Sequence, residues 1–117
     1  MKNKILCFDI DGVILNTKGK NYLKAKLNLK AIQLINKLYQ NNKIIIFTSR
    51  SMGRNNDNVA KAKKQGYQNT INQLRKWKLK FHTLKFGKPS YDLFVDDKAY
   101  GFNSNWIKDL NKFASIL

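Results

Sequence analysis

Glutamate is absent from this 117-residue chain, and aspartate occurs seven times against 23 lysines and arginines. Carboxylates are therefore scarce, and their positions carry information. There is one cysteine, Cys7, which excludes an internal disulfide. It falls inside the first predicted strand, where a small apolar residue is expected to be buried and inert, as suits a reducing cytoplasm. No apolar run approaches the ~20 residues of a membrane span. The chain enters a strand almost at once, so a secretory leader is not expected. Repeats, Pro/Ser-rich linkers and a kinase P-loop are all missing, and the length suits one domain spanning residues 1–117. The single histidine, His82, lies on a predicted strand, where a structural role is expected.

The hydrophobic content of 43% nevertheless describes a folding globule. The formal charge of +16 favours anionic ligands. Lysines are dispersed rather than held in one block, and Lys and Asn are abundant throughout, as an AT-rich coding sequence would give. A phosphorylated small molecule is the first expectation, and nucleic acid the second.

Strand and helix signals alternate, which predicts an α/β fold with an open parallel sheet. Lys4–Phe8 reads as a strand buried on both faces. Asn28 is a candidate N-cap for a helix to Gln40, with Ile32, Ile35, Leu38 and Tyr39 at helical spacing. Lys43–Phe47 is a second strand, and Arg50–Asn58 a polar loop. A long helix follows between about Asp57 and Lys78, its inner stripe including Val59, Ala62, Tyr67, Ile71, Leu74 and Trp77. Gly66 leaves open a division into two helices. Phe81–Phe86 and Tyr91–Val95 read as strands three and four, and Trp106–Phe113 as a terminal helix.

Four of the seven aspartates sit in two pairs, Asp9/Asp11 and Asp96/Asp97, each after a hydrophobic run. Ligands of open parallel sheets bind outside the carboxyl ends of the strands. Carboxylates about 4 Å apart repel by roughly 4 kcal/mol at an effective dielectric near 20. Such a cluster calls for a cation, and all-oxygen ligands suit Mg²⁺. A carboxylate can attack phosphorus to form an aspartyl-phosphate, while its neighbour protonates the leaving oxygen and later activates water. Gly12 frees the backbone beside them.

In order, Asp9-Ile10-Asp11-Gly12-Val13, Ile44–Thr48, Gly87-Lys88-Pro89 and Phe94-Val95-Asp96-Asp97 resemble the four motifs of the haloacid dehalogenase superfamily of phosphotransferases. The likeness spans Lys4 to about Gly101. It implies a Rossmann-like three-layer sandwich with a mostly parallel central sheet. It implies Asp9 as nucleophile and Asp11 as general acid/base, with Thr48, Ser49 and Lys88 around the phosphoryl group. Mg²⁺ would be held by Asp9, the Asp11 carbonyl, Asp97 directly and Asp96 at one remove.

About 15 residues separate Asp11 from the first helix and about 40 separate Thr48 from Lys88, too few for a cap domain. The chain thus resembles capless members, among them small bacterial proteins of capsule or lipopolysaccharide synthesis. That implies a cytoplasmic, Mg²⁺-dependent phosphatase of a sugar phosphate, with a homo-oligomer as one way to enclose the substrate. The alternatives are a polynucleotide 3′-phosphatase and a basic binding module that only holds metal or nucleic acid. Specificity is expected in the Asn16–Leu27 flap, the Arg50–Asn58 loop and the tail.

Overall fold

The computed structural model describes residues 1–16 and 26–116. Its elements run β1 (Ile5–Phe8), β2 (Leu15–Asn16), β3 (Lys26–Leu27), α1 (Leu29–Tyr39), β4 (Lys43–Thr48), α2 (Val59–Lys76), β5 (Thr83–Phe86) and α3 (Trp106–Ile116). The described residues form a small α/β fold around a three-stranded parallel sheet of order β1-β4-β5. Leu6 pairs with Ile44, and Ile46 with Leu84. β2 and β3 make a separate antiparallel pair. Most of the predicted flap, including Gly19, lies outside the described residues.

α1 begins where its cap predicts, since the Asn28 side chain accepts a hydrogen bond from the Ala31 amide. Ile32, Leu34, Ile35 and Leu38 are buried from it. α2 is capped in the same way by Asn58 and runs unbroken through Gly66. The glycine permits close packing rather than a break. A Cβ there would stand 3.1 Å from Ser51 Oγ and 3.3 Å from the Phe86 ring. Ile44 and Ile46 on β4, both fully buried, form the centre of the core with Ile10, Ile14, Ile35 and Leu74.

Three expectations fail. Tyr91–Val95 is not a strand: it has no ladder partner among the described residues, and Leu93 and Val95 are more than 80% exposed. The reason is connection length. A parallel neighbour needs a crossover of a dozen or more residues, and only residues 87–90 separate β5 from Tyr91. β1 is accordingly an edge strand among the described residues, pairing only with β4, rather than one buried on both faces. Ile5 is 68% exposed, and Cys7 is exposed instead of buried.

His82 takes the structural role expected of it. Its amide donates to the Ile44 carbonyl, its Nδ1 accepts from the Ile44 amide, and its ring stacks on Tyr39 at 4.4 Å. Among the described residues no helix is long and apolar enough to cross a membrane.

Candidate active site

Because β1, β4 and β5 are parallel, their carboxyl ends share one edge of the sheet, and the chain there continues into Asp9, Ser49 and Gly87-Lys88. The register sets Thr48 opposite Phe86, one residue before that glycine. Gly87 has φ +105°, a conformation that favours glycine, and its backbone lies against Val59. The turn sends Lys88 back over the end of β4, where its amide donates to the Thr48 carbonyl. Its Nζ then reaches Asp9 Oδ2 at 3.1 Å. This ion pair joins the two outer strands across the end of the middle one.

Asp9 Oδ1 accepts from the Ile10 amide at 2.8 Å, which fixes the carboxylate plane. The Ile10 carbonyl then accepts the amides of Val13, Ile14 and Leu15, closing a tight loop. Gly12 at φ +90° makes the bend. The loop turns Asp11 toward Arg50, whose Nε and Nη2 donate to Oδ2 and Oδ1 at 3.0 and 3.1 Å. Arg50 Nη1 donates to Thr70 Oγ1 and Gln73 Oε1 on α2. Thr48 is fully buried, and its Oγ1 accepts the Arg50 amide at 3.1 Å. It therefore braces Arg50 from beneath, while Ser49 lines the adjoining cavity.

Lys88 is under opposing influences. Burial disfavours its charge, but contact with Tyr91 and the Asp9 carboxylate outweighs burial and raises its pKa. The ammonium also lies 5.5 Å from the Tyr91 ring centroid and 5.7 Å from that of Phe94. Both carboxylates at the strand end are thus matched by cations, one each.

Asp9, Asp11, Thr48, Ser49 and Lys88 come to the same edge, as the sequence predicts. Asp96 and Asp97 do not join them. Both are exposed, and the Asp96 carboxylate caps the Lys98 amide locally. Among the described residues no three Asp, Glu, His or Cys side chains gather into a group that could hold a metal ion. In this arrangement Lys88 takes Asp9 Oδ2, and Arg50 takes both oxygens of Asp11.

The pairing of Arg50 with Asp11 is the main gain over the sequence reading, with Thr70 and Gln73 behind it. A signal for Thr70 was present, because it continues the i, i+4 row Ala62, Gly66, Leu74 on the inner face of α2 and is 2% exposed. A buried polar residue in such a row needs a partner.

No family model matches the chain, and no curated protein does. Among solved structures it is similar to the crystal structure of an MCSG target from Vibrio cholerae. The two share 23% identity over 95% of this chain and 98% of the other, with a TM-score of 0.74. The likeness is one of fold, shared along nearly the whole length of both chains.

Proposed function

We propose that the chain is a phosphomonoester hydrolase of the haloacid dehalogenase type, a capless Rossmann-like sandwich acting on a sugar phosphate of surface-polysaccharide synthesis. One observation carries the reading: Asp9, Asp11, Lys88 and the Thr48-Ser49 corner converge at the carboxyl edge of a parallel sheet. Strand-end aspartates beside a lysine and a hydroxyl corner are what an aspartyl-phosphate route requires.

Asp9 is oriented by the Ile10 amide for attack on phosphorus, forming an Asp9–phosphorus bond as the bond to the leaving oxygen breaks. Lys88 has three donors, of which one serves Asp9. With Tyr91 also in contact with the ammonium, one remains for the charge that develops on the phosphoryl oxygens, and Ser49 supplies a hydroxyl from the cavity wall. Asp11, protonated once substrate is bound, gives that proton to the leaving oxygen; as the carboxylate that pairs with Arg50 it then takes one from the water that cleaves the intermediate. Arg50 holds Asp11 in place between the two steps.

The proposal of Mg²⁺ as cofactor rests on the sequence pattern of Asp9, Asp11, Asp96 and Asp97, and no step above is routed through it. Its test is direct. Phosphate release from p-nitrophenyl phosphate is measured after chelation and again after Mg²⁺ is restored, for wild type and Asp97→Asn. Loss and recovery in wild type, with a raised Mg²⁺ requirement in Asp97→Asn, supports the assignment. Undiminished activity after chelation removes the metal from the proposal and leaves the two-carboxylate chemistry standing.

Sugar is favoured over nucleic acid by the cavity beside Asp11. Nucleobases on single strands are read chiefly by stacking on aromatic rings. Among the described residues no aromatic side chain lines this cavity; Asp11, Leu15, Gly53, three serines, two arginines and a glutamine do.

A further inference from the structure

Two unpartnered features sit on the same chain. The first is the outer edge of β1, which pairs only with β4 among the described residues. Ile5 and Cys7, two positions apart and so on one face of the strand, are both exposed there. The second is Tyr91–Val95, which has the composition of a strand and no ladder partner among the described residues. Tyr91, Leu93 and Val95 recur with the same period of two, and all three are exposed. An open sheet edge is a template for a further strand, and an exposed apolar segment marks a contact surface.

The segment does not run along β1 of its own chain. Lys88, held by Asp9, has the ring centroids of Tyr91 and Phe94 at 5.5 and 5.7 Å, and the two rings lie 5.1 Å apart. These contacts keep the segment over the carboxyl end of the sheet and leave Leu93 and Val95 turned outward. A parallel course along its own β1 is closed to it by the short connection through residues 87–90. That connection sets no limit on β1 of a second copy.

Register and charge agree with such a partner. With Leu6 set opposite Phe94, Ile5 and Cys7 share a face with Leu93 and Val95, whichever way the added strand runs. Lys4 then stands opposite Asp92 in a parallel pair and opposite Asp96 in an antiparallel one. Residues 91–97 hold three of the seven aspartates and no lysine or arginine, whereas Lys2 and Lys4 lead into β1. On a chain of net charge +16, this is the acidic stretch through which two copies approach without repulsion.

We propose that the protein dimerises by segment exchange: Tyr91–Val95 of each copy adds as an edge strand to β1 of the other, giving a two-fold symmetric pair. Each copy covers Ile5 and Cys7 of the partner subunit, satisfies the open backbone edge and buries its own Leu93 and Val95. The exchange stands independently of the phosphatase reading.

Light scattering after size exclusion gives the mass of wild type and of the Leu93→Ser, Val95→Ser double variant. Both side chains are exposed in the single chain, so the variant should keep the wild-type circular dichroism. Wild type should be a dimer at micromolar concentration, and the variant should dimerise at least about tenfold more weakly, the scale of burying one such side chain. A second measurement uses Cys7, the only cysteine, as a probe and stands even if the double variant unfolds. Leu93→Cys and Val95→Cys are oxidised separately, with wild type setting the background of bonds between two Cys7 thiols. A disulfide from Cys7 to the introduced thiol should join two chains on a non-reducing gel, in Val95→Cys for a parallel strand or in Leu93→Cys for an antiparallel one. The same bond closed within one chain would overturn the exchange, as would no cross-link above background in either variant. So would a monomeric wild type, or a folded double variant that dimerises as well as wild type.

Discussion

Arg50 grips Asp11 through two nearly parallel hydrogen bonds, Nε to Oδ2 at 3.0 Å and Nη2 to Oδ1 at 3.1 Å. The same guanidinium reaches Thr70 and Gln73, so one side chain ties the loop after β1 to the middle of α2. Side-chain exposures of 19% and 24% leave the pair only partly screened by water.

That geometry sets a measurable coupling. In a double-mutant cycle with Arg50→Gln and Asp11→Asn, urea unfolding should give an interaction of about 1–2 kcal/mol, between exposed and buried pairs. Arg50→Lys should recover only part of it, because an ammonium cannot span both oxygens. Full recovery by lysine would mean that charge alone matters at this position.

Gly66→Ala sets two effects against each other. Helix propensity favours alanine by about 0.5–1 kcal/mol. Against it, the new Cβ meets Phe86, a buried ring on β5 that cannot retreat as the Ser51 hydroxyl can. Overpacking of this kind costs about 1–3 kcal/mol, so the variant should be less stable than wild type in chemical denaturation. A gain in stability would show that β5 shifts freely away from α2.

The element pattern was largely legible because α1, α2 and β4 carry strong local signals: the Asn28 cap, helical spacing of Ile32, Ile35 and Leu38, the apolar stripe of α2, and an isoleucine run. Tyr91–Val95 misled for the opposite reason. Its composition is that of a strand, but strand pairing depends on where the connection lets the segment go, and four residues cannot return it to a parallel start. The exposure of Cys7 follows from the same fact, since nothing described covers the outer edge of β1. At the site, Asp9 and Asp11 could be read from their place after a hydrophobic run, and Thr48 and Lys88 from the likeness of their surroundings to known motifs. The Arg50–Gln73 contact could not, because it joins residues 23 positions apart through side chains alone.

Lys88 should leave a mark at alkaline pH. Burial lowers its pKa, Tyr91 and Asp9 raise it further, and the net value lies above the ordinary 10.5. A lysine with a raised folded pKa contributes its full stabilisation below the unfolded value and loses it as pH climbs through the folded one. The stability difference between wild type and Lys88→Met should therefore stay flat from neutral pH to about 10 and narrow above it. Narrowing that begins near neutrality would contradict the raised value.

Cys7 is exposed yet should be a sluggish nucleophile. Partial burial pushes its thiol pKa up, an effect that Lys88 offsets only in part and Asp9 reinforces. The protonated thiol is the unreactive form. Alkylation at neutral pH should run slower than for a free cysteine, as read by mass spectrometry over time. A faster reaction would indicate a thiolate stabilised by the neighbouring lysines.

The most direct test is to trap the proposed covalent intermediate. Wild type is acid-quenched while turning over p-nitrophenyl phosphate, reduced with borohydride, and the peptide containing Asp9 is examined by mass spectrometry. An acyl phosphate at Asp9 should be reduced to homoserine at that position. Asp9→Asn should show no such product and should turn over at least about a thousandfold more slowly, as expected when a nucleophile is removed. Reduction at another carboxylate, or Asp9→Asn activity within about tenfold of wild type, would contradict Asp9 as the group that attacks phosphorus.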